Sequence, residues 1–212
     1  MADARHPPTT ARLEAFSDGV IAIILTIMVL ELKAPAEAAF THGDIGEVLR
    51  ELGPELLVYA LSFLIIAIMT VNHHALMRVP PHATTPLYWW NALLLFWMSL
   101  VPLSMSVFAR SPTEPLAVAF YGANMVGTSS SFAFLRRCAS RIGHPEGVPP
   151  ELRPAVIKNF MSTLLWAASI PLAYVSVYLS IAIFGLISAY YFVPGTIFSP
   201  FRSLSAKSTP ST

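Results

Sequence analysis

Residues 12–32 read RLEAFSDGVIAIILTIMVLEL: Arg12, then Phe16-Ser17-Asp18-Gly19-Val20, then an apolar run from Ile21 that closes on Leu30-Glu31-Leu32. The segment is built to live in lipid, yet an arginine and an aspartate stand at its mouth. Ionisable groups at membrane depth are costly, so their presence points to a function rather than to simple packing. The run exceeds a typical signal-peptide h-region and no small-residue cleavage pattern follows it, so it is expected to be retained as a first transmembrane helix.

Composition agrees. Of 212 residues, 55% are hydrophobic and only 12% charged, whereas soluble domains carry roughly 25% charged residues. Apolar runs can be drawn at Leu13–Leu32, Leu56–Met77, Tyr88–Phe108, Leu116–Leu135, Val156–Ala173 and Val175–Val193. Each approaches the roughly 20 residues that cross a hydrocarbon core. The stretch from Asn159 to Val193 is one apolar block with Pro171 near its middle, too long for a single crossing. Two short crossings with a turn near Pro171 are expected. The expected fold is an all-α polytopic membrane protein of six transmembrane helices over residues 12–195, between a cytosolic N-terminus (1–11) and a polar, disordered cytosolic tail (196–212).

The loops orient the bundle. With both termini cytosolic, the inner segments hold Arg5, Arg12, Arg78, Arg136, Arg137, Arg141, Arg153, Lys158, Arg202 and Lys207, and the outer ones only Lys33, Arg50 and Arg110. That asymmetry of ten against three is the positive-inside signature. The cluster Arg136 to Arg141 therefore reads as a juxtamembrane topology signal, and no nucleic-acid partner is expected. Cys138 is the only cysteine, which rules out an intrachain disulfide and a cysteine-based metal site. Asp44-x-x-Glu47 resembles a capping box for a short helix in the outer loop, which also carries Glu37, Glu51 and Glu55. Ser111-Pro112-Thr113-Glu114 reads as the start of the fourth helix.

Residue choice within the helices carries further information. Ala123, Gly127 and Ser131 follow one another at four-residue spacing, which lets helices approach closely in lipid. Trp89 and Trp90 suit an interfacial belt. Asn91 and Pro102 read as packing and kink residues in the third helix. Along the first helix, at about 100° per residue, Phe16, Ile27 and Leu30 fall within about 40° of Ile23, Thr26 about 60° away and Asp18 about 140° away. One face is thus a bulky apolar stripe and the other carries the acid. The stripe either faces lipid or lines a symmetric pore; either way Asp18 packs inside the bundle.

Asn72-His73-His74 ends the second helix. Adjacent histidines point to different faces, whereas metal pairs on one helix sit at i and i+4. Hydrogen bonding to neighbouring helices is the plainer role, and no metal site is expected. Nucleophile motifs, a Walker sequence, a glycine-rich cofactor loop and a TVGYG filter string are all missing from the sequence. No enzymatic activity and no cofactor are expected.

The string Arg12-x-x-x-Phe16-Ser17-Asp18-Gly19-Val20, running into Ile23, Thr26 and Leu30-Glu31-Leu32, resembles the signature of the endosomal/lysosomal potassium channel family (transmembrane protein 175), in its prokaryotic six-helix branch. His73-His74 and Asn91 also match family positions. The resemblance implies a potassium channel of the cell membrane with modest preference for potassium over sodium, assembled as a homotetramer in the bilayer, with potassium ions as the permeant species. It implies that Ile23, Ile27 and Leu30 of four first helices form a hydrophobic constriction, with Thr26 beside it. It further implies that Arg12, Phe16, Ser17, Asp18, His73, His74 and Asn91 form the network that holds the first helix. The alternative is a proton- or cation-coupled secondary transporter using Asp18 and His73 or His74, which would normally show paired broken helices and internal repeats.

Overall fold

The computed structural model describes residues 9–32, 45–147 and 149–192, and every regular element among them is helical. The helices are α1 (Thr10–Leu30), α2 (Ile45–Met77), α3 (Thr85–Ser99), α4 (Val101–Arg110), α5 (Pro115–Gly143), α6 (Arg153–Val175) and α7 (Val177–Phe192), with a 3₁₀ turn at Pro150–Leu152. Four stretches are long and apolar enough to cross a bilayer: Thr10–Leu30, Leu52–Met77, Thr85–Arg110 and Arg153–Val175. The third combines α3 and α4. Pro102 offers no N–H to the carbonyl of Met98, so the helix breaks at Leu100 and restarts. The expected kink is there, within one continuous span.

The fourth expected crossing, α5, runs for 29 residues and falls outside those four stretches. Its composition explains this. Gly122, Asn124, Thr128, Ser129 and Ser131 give it a low mean hydropathy, and most of these side chains are buried against other helices. Its main neighbours are α6, α3 and α4, so its polar face meets protein, while Leu116, Phe120 and Phe134 stay exposed. Close approach is visible at two points. A methyl group at Gly127 would sit 2.3 Å from the Trp97 indole of α3, and one at Gly143 would sit 2.5 Å from the Val79 carbonyl oxygen. The sixth crossing, α7, spans 16 residues, about 24 Å at 1.5 Å per residue.

Three expected boundaries move. The helix expected at Ser111 begins instead at Pro115, with Glu114 in an extended conformation before it. The Glu114 N–H is taken by the Ser111 carbonyl in a turn at 3.1 Å, and Pro115 is the proline that suits a first helical turn. The turn expected near Pro171 lies at Ser176, whose φ of −160° and ψ of 114° end α6. Pro171 is tolerated inside the helix, and the Ser180 hydroxyl of α7 donates to the Ser169 carbonyl at 2.8 Å, tying the hairpin together. No short outer-loop helix separate from α2 is seen among the described residues, since α2 is continuous from Ile45 through Pro54. Asp44 of the expected capping box lies outside the described residues, as do the two termini.

The core centres on an aromatic cluster from four helices. Phe108, Tyr121, Trp166 and Phe184 stack with ring centroids 4.9–6.2 Å apart. Tyr121 is fully enclosed, and its hydroxyl shares a hydrogen bond with Ser62 of α2 at 2.9 Å, which satisfies that buried polar atom. This cluster ties α4 to α5, α6 and α7, while α1 is laid against α2, α3 and α4.

Candidate functional site

The inward face of α1 is fixed by its spacing. Leu13, Ser17, Ile21, Ile24 and Met28 are its buried residues, an i, i+4, i+8, i+11, i+15 series that follows the 3.6-residue period. They lie against α2, α3 and α4.

Ser17 is the polar member of that series. Its hydroxyl donates to the Leu13 carbonyl at 2.8 Å and accepts from the Asn91 side-chain amide at 2.8 Å. Asn91 in turn accepts at Oδ1 from His73 Nε2 at 2.7 Å. The order of donors is therefore forced. With the Asn91 amide nitrogen spent on Ser17, its carbonyl must receive, so His73 carries its proton on Nε2. All three side chains are essentially fully buried, and they join α1, α2 and α3 in one directed chain.

A second contact lies nearer the solvent. His74 Nε2 sits 3.2 Å from Glu14 Oε1, and His74 Nδ1 sits 3.7 Å from Asp18 Oδ1. Glu14 and Asp18 are one turn apart and share a face, so both reach the same ring. Adjacent histidines thus serve two tasks: His73 is locked in the interior chain and His74 meets two carboxylates at the edge. Among the described residues no cluster with the makings of a metal site occurs.

The remaining face of α1 is uncovered. Phe16 is 60% exposed, Ile23 58%, Ile27 41% and Leu30 78%, while Gly19 and Thr26 are also exposed. A methyl group at Gly19 would meet no atom within 4 Å. The Thr26 hydroxyl donates to the Ile23 carbonyl at 2.8 Å, which leaves its oxygen lone pairs free to accept. At the C-terminal end of α1 Glu31 pairs with Arg110 of α4 at 3.8 Å. Its charge is therefore partly balanced rather than open to cations.

Of the residues expected in the anchoring network, Ser17, Asn91 and His73 meet in one chain, and Asp18 meets His74. Arg12 and Phe16 stand elsewhere. Both are on the uncovered face, and among the described residues Arg12 forms no ion pair with Asp18. Helix geometry gives the reason: eleven residues separate Arg12 from Ile23, about 1,100°, which returns to within about 20° of the same direction. Glu14 joins the group instead, as a second carboxylate on His74, and its i, i+4 spacing to Asp18 puts both acids on that face.

The comparisons with known proteins bear on this helix directly. The family model for the endosomal/lysosomal potassium channel TMEM175 matches residues 12–102, which hold nearly all of α1, the whole of α2 and α3, and the start of α4. A potassium channel of Chryseobacterium sp. (strain P1-3) is 32% identical over 189 residues, covering 88% of this chain and 94% of that protein. The chain belongs to the TMEM175 family. A potassium channel of Streptomyces collinus is 33% identical, covering 86% of this chain and 91% of the relative. The crystal structure of a lysosomal potassium-selective channel TMEM175 homolog from Chamaesiphon minutus superposes with a TM-score of 0.76 at 28% identity, over 86% of this chain and 95% of that one. The fold is therefore that of a TMEM175 channel along most of its length.

Proposed function

We propose that this chain is a potassium channel in which copies of α1 surround the conduction path and present the Ile23, Ile27 and Leu30 stripe to it. The observation that carries the reading is the division of α1. One face is packed and hydrogen-bonded into its own subunit, while the opposite face is apolar, continuous and uncovered. Relatives named as potassium channels that match nearly end to end support it. Four copies in a cell membrane are what the resemblance to the family implies, and the charge asymmetry of the loops favours both termini in the cytosol.

A ring of isoleucines closes a path by dewetting, with no charged plug. Potassium loses or deforms its hydration shell at lower cost than sodium, so a narrow apolar ring penalises sodium more. Such a ring gives modest selectivity compared with a carbonyl filter. Thr26, with its lone pairs turned away from its own helix bond, offers acceptors to a partly dehydrated cation one turn from the ring. Arg12 and Phe16 sit at the inner end of the same face, and the Glu31–Arg110 pair moderates the outer end.

The test is flux through the purified protein in liposomes. Potassium should move down its gradient without a coupled ion, which separates a channel from the transporter alternative. Ile23→Asn should lower the potassium-to-sodium permeability ratio, because an amide ring hydrates both ions alike. An unchanged ratio would remove the constriction from Ile23.

A further inference from the structure

A second polar feature lies away from α1. Between α2, α5, α6 and α7 is a cavity of about 380 Å³ with no residue of α1 in its wall. Its lining mixes apolar side chains such as Ile68, Phe132 and Trp166 with two cations, Arg136 and Lys158, and, among the described residues, no carboxylate. Neither cation forms an ion pair among the described residues. Arg136 stacks over the Phe132 ring at 5.0 Å, and its Nε is buried with no hydrogen-bond partner. Lys158 has only the Tyr190 carbonyl at 3.3 Å and the faces of Tyr190 and Tyr191. Asn159 is 5% exposed. Its amide nitrogen is engaged with Ser129, and its Oδ1 has no donor.

Cations held half-buried in a membrane protein without a counter-charge, as Arg136 and Lys158 are, are costly and point to a binding site. The wall therefore lacks two things, an anion and a hydrogen-bond donor. One class of molecule supplies both and also has apolar chains to lie along the bundle. We propose that this cavity binds the headgroup of an anionic, hydroxyl-bearing phospholipid, with its phosphodiester on Arg136 and Lys158 and a headgroup hydroxyl donating to Asn159 Oδ1. The residues that meet here, Asn72 near the end of α2, Arg136 in the last third of α5, Lys158 in the second turn of α6 and Tyr191 near the end of α7, lie at the inner side of the bundle if both termini are cytosolic. That is the leaflet where basic pockets between helices meet anionic lipid.

The experiment measures thermal stabilisation of the purified full-length protein in detergent on titration with phosphatidylglycerol, phosphatidylcholine of the same chains, phosphatidylmethanol and inorganic phosphate. Phosphatidylglycerol should stabilise saturably and at least tenfold more tightly than phosphatidylcholine. Phosphatidylmethanol, anionic but without the hydroxyl, should bind severalfold more weakly. Lys158→Gln, at a half-buried position, should weaken phosphatidylglycerol about tenfold, and Arg136→Gln by more where it folds. Equal stabilisation by phosphatidylcholine, or wild-type affinity in Lys158→Gln, would overturn the site. Saturation by inorganic phosphate alone would overturn the lipid as its occupant. Equal affinity for phosphatidylmethanol would overturn the contact to Asn159.

Discussion

The two faces of α1 have opposite characters although both are drawn largely from isoleucine, leucine and methionine. On the inner face, Ile21, Ile24 and Met28 are buried to 3% exposure or less, and Ser17 is bonded through Asn91 to His73. On the outer face, Ile23, Ile27 and Leu30 touch little of their own chain. In lipid, apolarity cannot distinguish these faces, because hydrocarbon tails are as apolar as leucine and give helices no hydrophobic reason to associate. The distinction comes from directed hydrogen bonds and close packing on one side only. Polar groups decide which side of the helix is fixed, and so, in the proposed channel, which side remains for ions.

The most damaging way to break the comparison is to cut the chain at its middle. Asn91→Ala leaves the His73 donor and the Ser17 oxygen buried without their partner, and should cost about 2–3 kcal/mol, read as a lower unfolding midpoint in detergent. If the midpoint did not move, the inner face would owe its position to packing alone.

Next in size is a change to the frame behind that face. Gly127→Ala places a methyl against the Trp97 indole and forces α3 away from α5, an overpacking that costs about 1–3 kcal/mol. Trp97→Phe in the same chain should recover part of the loss, and a failure of rescue would assign the loss to something other than this contact. The smallest effect belongs to Asp18. It is 41% exposed and 3.7 Å from His74, so Asp18→Ala should cost less than about 1 kcal/mol and leave the potassium-to-sodium ratio unchanged. A well-folded Asp18→Ala channel with altered selectivity would place Asp18 on the ion path.

Much of this was legible in the sequence. Composition and run length predicted the helical membrane class, and a helical wheel separated Ile23, Ile27 and Leu30 from Asp18. The proline at 102 foretold the break between α3 and α4. Other features were out of reach for physical reasons. The Trp97–Gly127 contact depends on the relative register of two helices thirty residues apart in sequence, which no local pattern encodes. Pro171 was a plausible turn, but α6 continues through it and ends at Ser176. The placement of Arg12 was within reach, since the same wheel that sorted Asp18 puts Arg12 on the face of Ile23. Its place in the network followed from the resemblance, and the geometry supplies His74 as the partner of Asp18 instead.

The central claim is that the uncovered face of α1, and not the buried one, meets the ions. Cys138 is the only native cysteine, so Cys138→Ser gives a background without thiols. In that background Ile23→Cys and Met28→Cys can be compared by potassium flux in liposomes before and after a small cationic thiol reagent. Modification of Ile23→Cys should abolish most of the flux, while Met28→Cys, at a position with no exposed surface, should conduct unchanged. Block through position 28 with none through position 23 would contradict the account.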